Sequence, residues 1–264
     1  MGRRPTIAAL TCSPVWDVLE QFYDSVPRPG SRVEEHGELT LFLQAGDGYP
    51  YYARPRFPGG RPTTADVVAM REHQRSLGVP EALEWVHETT PGLLEAAREA
   101  GMDVLEAPLM VLDPDQLPEP HPHVRVLDTR PVEVSVVAML AFSSPGTAVG
   151  EAGAAERDAA LATATPMSTR HRHAVADLPG EGVLAVGTAQ RAGDVVEVVG
   201  IGTLPAARRR GLGGAVTAAL ARDALDRGAT LVFLSAGSEE IARVYERIGF
   251  RRIGTACIAS AEDA

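Results

Sequence analysis

Hydrophobic and polar positions alternate along this chain with two periods, and the switches between them mark out short elements. Ser13 to Tyr23 carries the helical spacing, and Glu38 to Leu43 reads as a strand. After the aromatic run Tyr49 to Tyr52, a helix is predicted from Ala65 to Leu77, capped by Thr64 and stopped by Gly78. A strand over Ala82 to Val86 follows. A second helix then has Thr90 as its N-cap, Pro91 in its first turn and Gly101 just past its end. Strands at Met102 to Glu106 and Leu109 to Leu112 close the first half, whose strand, helix, strand, helix, strand order is α/β.

The second half repeats that order. Helices are predicted over Glu133 to Phe142 and around Glu151 to Thr163. Strands are predicted over Arg170 to Ala176, Gly182 to Gln190 and Val195 to Thr203, with Arg191 to Asp194 as the turn between the last two. A long helix runs from Gly211 to Gly228 with Leu212, Val216 and Leu220 on one stripe. The apolar run Leu231 to Leu234 is a buried strand, and Ile241, Val244, Tyr245 and Ile248 form a helix face ended by Gly249. A last strand covers Arg252 to Ala259. Between the halves, four prolines within Pro114 to Pro122 interrupt regular structure. Two domains are therefore expected, 1–122 and 123–264.

Charge supports that division. Residues 1–123 carry 10 Arg against 19 acidic residues, while residues 124–264 carry 15 against 16. All 25 basic residues are arginine, and the chain has neither lysine nor asparagine. Lysine-dependent phosphate loops, Schiff-base chemistry and SxxK acyl-enzymes are excluded, as is N-glycosylation. No run approaches a membrane span and no secretory leader is visible, so a cytoplasmic protein is expected. Cys12 and Cys257 lack paired spacing and read as buried reduced thiols. His171 with His173 and His121 with His123 have no third ligand near them, so no metal is expected; the negative net charge argues against nucleic acid.

The densest chemistry lies in Thr203 to Gly214, between a strand and the long helix. Gly211, Gly213 and Gly214 let an anion approach the backbone, and a helix N-terminus offers unpaired N–H groups with about half a positive charge. Arg208, Arg209 and Arg210 add full charges. These residues describe a phosphate or pyrophosphate cradle; an arginine-rich solvated turn has the same pattern. Gly200 and Gly202 inside an apolar strand mark a bulge, a close backbone approach or simply a weakened edge.

Arg208-Arg209-Arg210-Gly211-Leu212-Gly213 resembles the signature of the GNAT superfamily of acyl-CoA-dependent N-acetyltransferases, and Tyr245-Glu246-Arg247-Ile248-Gly249-Phe250 is similar to that superfamily's Gly-Phe ending before its last strand. The resemblance covers residues 124 to 260. It implies a mixed α+β sheet and acetyl-CoA as co-substrate. The backbone at Ile201 and Thr203 would pair with the pantetheine arm, and the amides from Arg209 through Leu212 to Gly214 would hold the pyrophosphate. Many members have Asn seven residues before the tyrosine; here that position is Ser238, which keeps one donor and acceptor but loses the amide's reach.

The same resemblance gives Glu197 and Tyr245 roles in the transfer. Glu197 lies eleven residues before Arg208, a spacing similar to that of the catalytic glutamate in some members. The two-residue period puts it on the face of Val195 and Val199, where burial would raise its pKa and make it a general base. A solvent-facing glutamate has the same period. Tyr245 would donate to the departing sulfur, although its stripe with Ile241 and Ile248 fits core packing equally.

The first half looks like a degenerate copy of the same fold, making the whole a tandem GNAT-like chain. Phe57 to Pro62 stands where the cradle would be, so no cofactor is assigned there. Its acidity either draws a cationic amine or serves solubility. The function expected is acetyl transfer to a primary amine of a small molecule by direct attack in a ternary complex, with Ser143 to Met167 at the acceptor's entrance. A non-catalytic acyl-CoA sensor is the alternative.

Overall fold

The computed structural model describes residues 14–45, 52–167 and 170–261. Cys12 and most of the run from Tyr49 to Tyr52 lie outside the described residues. The chain forms two compact units that are not consecutive halves: Met1–Leu109 with Ile253–Ala264, and Met110–Arg252. The first crossing between units falls between Leu109 and Met110, ahead of the proline-rich run at which the sequence suggests a boundary, and the segment from Ile253 returns to the first unit.

In the first unit, α1 (Pro14–Ser25) precedes β1 (Ser31–His36), β2 (Leu39–Gln44) and β3 (Ala53–Pro55), followed by α2 (Thr64–Leu77), β4 (Ala82–Val86), α3 (Gly92–Glu99) and β5 (Met102–Leu112). The cap of α2 is Thr63, one residue before the expected Thr64. It forms a capping box with Asp66, and Gly78 ends the helix at φ 67°. Pro91, with helical dihedrals and no side-chain cap, precedes α3, so Thr90 is not its cap. The two strands expected around Ala107-Pro108 are one, β5; a proline lacks a donor but keeps a φ that extended backbone accepts.

The second unit holds β6 (Val124–Leu127), α4 (Val132–Phe142), α5 (Ala154–Leu161), β7 (Arg172–Leu178), β8 (Gly182–Ala192), β9 (Val195–Thr203), α6 (Leu212–Asp226), β10 (Leu231–Ser235) and α7 (Glu239–Glu246). The last strand, β11 (Phe250–Ala261), pairs antiparallel with β4, matching Ala256 to Val86 and Ser260 to Ala82. Neither β1, β3 nor β6 is predicted from the hydrophobic pattern. β1 and β6 are terminal strands with few buried side chains, and β3 has only three residues.

Strand directions show that the fold is repeated. β1, β2 and β3 are antiparallel neighbours and β3 runs parallel to β4; β7, β8 and β9 are antiparallel neighbours and β9 runs parallel to β10. A helix stands between the parallel strands each time, as a parallel crossover requires.

Each unit has its own core. Trp85, Leu83, Met70 and Leu93 pack with Cys257 and Ala259 in the first; Val186, Val216, Leu220 and Val232 pack in the second. The predicted α6 stripe of Leu212, Val216 and Leu220 is buried, each such side chain contributing about 1.5–3 kcal/mol relative to exposure. Burial, reinforced by Glu106 and Glu88, pushes the Cys257 thiol up to about 12, so it is an inert packing group. Among the described residues, no helix is long and apolar enough to cross a membrane.

Candidate functional site

The parallel ladder between β9 and β10 contains only Leu231 with Val195, Val232 with Val196 and Phe233 with Glu197. Beyond Glu197, the rest of β9 pairs on its other side alone, with β8, and that ladder is irregular. Thr188 faces Val199, but Val186 faces Gly202, so β9 carries one extra residue. Gly200 takes φ 62° at this bulge. Gly202 is required for a different reason, because a Cβ there would lie 3.0 Å from Ala141 Cβ on α4. The strand irregularity expected at the two glycines is thus real, and on its β10 side the backbone of β9 from Val198 to Thr203, including Ile201, has no ladder partner, while Thr203 pairs with Ala185 on the β8 side.

That stretch leads into the glycine-rich turn. Pro205–Ala207 form a short 3-10 turn, Arg209 adopts φ 65°, and Gly211 at φ 77° opens α6 without a side-chain cap. Ala215 donates to Gly211 O at 3.0 Å, so the amides of Leu212, Gly213 and Gly214 precede the first bond of the helical ladder. A Cβ at Gly213 would lie 3.3 Å from Thr203 Oγ1, which shows how closely the helix start approaches the end of β9. An anion at this end meets N–H groups and the positive end of the helix dipole.

The corresponding helix start in the first repeat is closed. Thr63 and Asp66 cap α2 with their own side chains, and Glu38 Oε2 accepts from Arg61 N at 3.0 Å, where a phosphate would otherwise be received. Asp66 is held below the usual carboxylate range, chiefly by the Thr63 hydroxyl.

The three arginines of the turn have different partners. Arg208 Nη1 donates to Ala148 O and Nη2 to Ala141 O, each at 3.0 Å, and Nη2 also donates to Ser144 O. Arg209 donates to Thr147 O at 3.1 Å and pairs with Glu240 at 3.2 Å. Arg210 forms a two-point pair with Glu181 at 2.7 and 2.8 Å, which raises the guanidinium and lowers the carboxyl. The backbone of this turn, more than its side chains, is what an anion would meet.

Glu197 is 7% exposed, which removes the solvent-facing alternative. Its register neighbours are Gln190 on β8 and Phe233 on β10. Two residues away on β9, Val199 lies opposite Thr188, whose hydroxyl is 3.0 Å from His173 Nδ1 on β7. His171 and His173 are both lowered to about 4, first by burial and then by nearby positive groups including Arg130, so both imidazoles are neutral at pH 7. A buried carboxylate and the neutral, hydrogen-bonded ring of His173 thus share the β7–β9 sheet, with His171 just before its first strand. The spacing of the two histidines is visible in the sequence, but the link of His173 to Thr188 is not.

Tyr245 is buried in the second core with its ring 6.1 Å from that of Phe250, and burial pushes its hydroxyl up to about 12. It packs in the core and keeps its proton. Ser238 has a role outside the sequence reading: its Oγ accepts from Ile241 N at 3.2 Å and caps α7. Among the described residues, no group of three His, Cys, Asp or Glu is placed to hold a metal ion.

Comparison with known proteins agrees with this architecture. A family model described as FR47-like protein matches residues 184–259. No curated protein matches. A GCN5-related N-acetyltransferase structure from Kribbella flavida is 23% identical, covering 96% of this chain and 98% of its own with a TM-score of 0.71. A GNAT-family structure from Novosphingobium aromaticivorans is 19% identical over 95% and 97% of the two chains, with a TM-score of 0.56. A GCN5-related N-acetyltransferase from Sphaerobacter thermophilus gives 18%, 89%, 84% and 0.53. The chain therefore has the fold of the GCN5-related N-acetyltransferase (GNAT) superfamily.

Proposed function

We propose that the protein transfers the acetyl group of acetyl-CoA to a primary amine of a small molecule by direct attack in a ternary complex. The observation that carries this reading is one continuous feature. The β9–β10 ladder ends at Glu197 and Phe233, and the edge of β9 left without a ladder partner on that side leads to an α6 N-terminus that no side chain caps.

The residues present fit such a ligand. Ile201 and Thr203 supply extended backbone to an amide-bearing arm, and the amides from Arg209 to Gly214 supply donors to a pyrophosphate. Acetyl-CoA bound there supplies an activated acyl carbonyl and a thiolate leaving group. The chain's own contribution is proton management. An alkylamine with a pKa of about 10.4 must lose a proton near pH 7, which costs roughly 4 to 5 kcal/mol. Glu197, buried beside the parting strands, accepts that proton directly or through water. Tyr245, protonated because of its burial, donates a hydrogen bond to the departing sulfur.

The packing of Tyr245 in the core is the observation that favours the second reading, a non-catalytic acyl-CoA sensor. A thiol-release assay with acetyl-CoA and a panel of primary amines separates the two. Amine-dependent thiol release supports transfer. Binding of acetyl-CoA without release by any amine supports the sensor.

A further inference from the structure

Arg208 opens the glycine-rich turn, yet its three hydrogen bonds all go to the last turn of α4 and the loop that follows it. Ala141 O is one of the last carbonyls of α4, which have no partner within the helix, and Ser144 O and Ala148 O belong to the loop that follows. No carboxylate among the described residues lies within ion-pair range of Arg208, in contrast to Arg209 and Arg210. A planar fork with five donors can serve three carbonyls at once; a point-like ammonium cannot hold the same set.

The rest of the segment is fastened separately. Gly150 N donates to Pro205 O at 3.1 Å and Ala206 N to Ala152 O at 3.0 Å. Backbone contact is so close there that a Cβ at Gly150 would come within 2.9 Å of Pro205 Cβ. Thr147 is held through its carbonyl by Arg209 and through its hydroxyl by Glu240. Gly150 and Ala152 are thus tied to the turn through the main chain, and the carbonyls of Ala141, Ser144, Thr147 and Ala148 through guanidinium groups.

We infer that Arg208 is a positioning residue that ties the α4–α5 loop to the anion-binding turn, so that ordering the turn also sets the loop flanking the acceptor. The consequence for the acceptor rests on the transfer reaction proposed above. The tie itself does not, and it is readable without turnover.

Hydrogen–deuterium exchange on the full-length protein tests it, comparing wild type with Arg208→Ala and Arg208→Lys. Exchange over residues 143–149 rises about tenfold or more in both variants, while residues 150–157 stay protected. Acetyl-CoA affinity in Arg208→Lys stays within about threefold of wild type, because the charge is kept and the backbone donors are untouched. With the best amine of the panel, the same variant raises the KM for the amine and not that for acetyl-CoA. Unchanged exchange over 143–149, or full protection in Arg208→Lys, overturns the assignment. So does a loss of acetyl-CoA affinity in Arg208→Lys with the loop still protected, which would make Arg208 a phosphate ligand. If Arg208→Ala does not fold, Arg208→Lys carries the test. If wild type binds no acetyl-CoA, the transfer reading fails while the exchange comparison still decides the tie.

Discussion

Glu197 and Phe233 are the last residues paired between the parallel strands β9 and β10. The strands part at the position of the buried carboxylate, so the base proposed for the reaction stands at the inner end of the slot proposed for the cofactor arm. Glu197→Gln keeps the shape and removes the proton acceptor. It is expected to lower amine-dependent thiol release by about 100-fold or more while changing acetyl-CoA affinity little. Equal losses in both would make Glu197 a structural residue.

Tyr245 gives a prediction at alkaline pH. Its ordinary value of 10 is raised to about 12 by burial, so the hydroxyl remains a donor throughout the range in which most proteins stay folded. Tyr245→Phe is expected to slow transfer, and the wild-type pH–rate profile should show no fall between pH 8 and about 10 that disappears in the variant. A fall of that kind, absent in Tyr245→Phe, would show that the tyrosine ionises earlier.

The histidines predict acid sensitivity. His171 and His173 titrate near the ordinary imidazole value of 6.5 when unfolded and at about 4 in the fold. Between those values the unfolded chain takes up protons that the folded chain refuses. Their contribution to stability is therefore complete above about pH 6.5 and is lost as pH falls toward 4. Thermal melts should show Tm falling through this window, with a shallower slope in His173→Gln. Parallel slopes in wild type and variant would contradict the assignment.

The two glycines of the bulge should respond differently to the same substitution. Gly200 has φ 62° and nothing closer than Thr188 Oγ1 at 4.0 Å, so Gly200→Ala costs about 1–2 kcal/mol through backbone conformation and Gly200→Asn recovers part of it. At Gly202 the obstacle is α4, with Ala138 Cα 3.3 Å from a built Cβ. Gly202→Ala therefore displaces the helix, and asparagine makes the loss larger. Denaturant melts of the four variants check the contrast, which fails if asparagine acts alike at both positions.

These glycines also show what the sequence could reveal. A glycine inside an apolar strand, or at the start of a helix without a capping side chain, reports a local backbone requirement, and both Gly200 and Gly211 were readable for that reason. Long-range partners leave no such mark. Arg208 was visible as a charge near a cradle, but its carbonyl acceptors lie 60 or more residues earlier in the chain. Ser238 was considered for the cofactor contact an asparagine would make, whereas its capping of α7 is a local signal, serine followed by two glutamates. The terminal strands β1 and β6 were missed because half-exposed strands carry little hydrophobic alternation. The return of β11 to pair with β4 is a choice of partner that periodicity does not encode.

The central claim is that the parted strands and the uncapped start of α6 receive acetyl-CoA. Calorimetric titration of the full-length protein tests it most directly, alongside Gly211→Pro, since proline cannot adopt the φ of 77° found there. The account predicts saturable binding at a single site in wild type and its loss in a folded Gly211→Pro variant. Absence of binding at millimolar acetyl-CoA, or undiminished affinity in that variant, would contradict it.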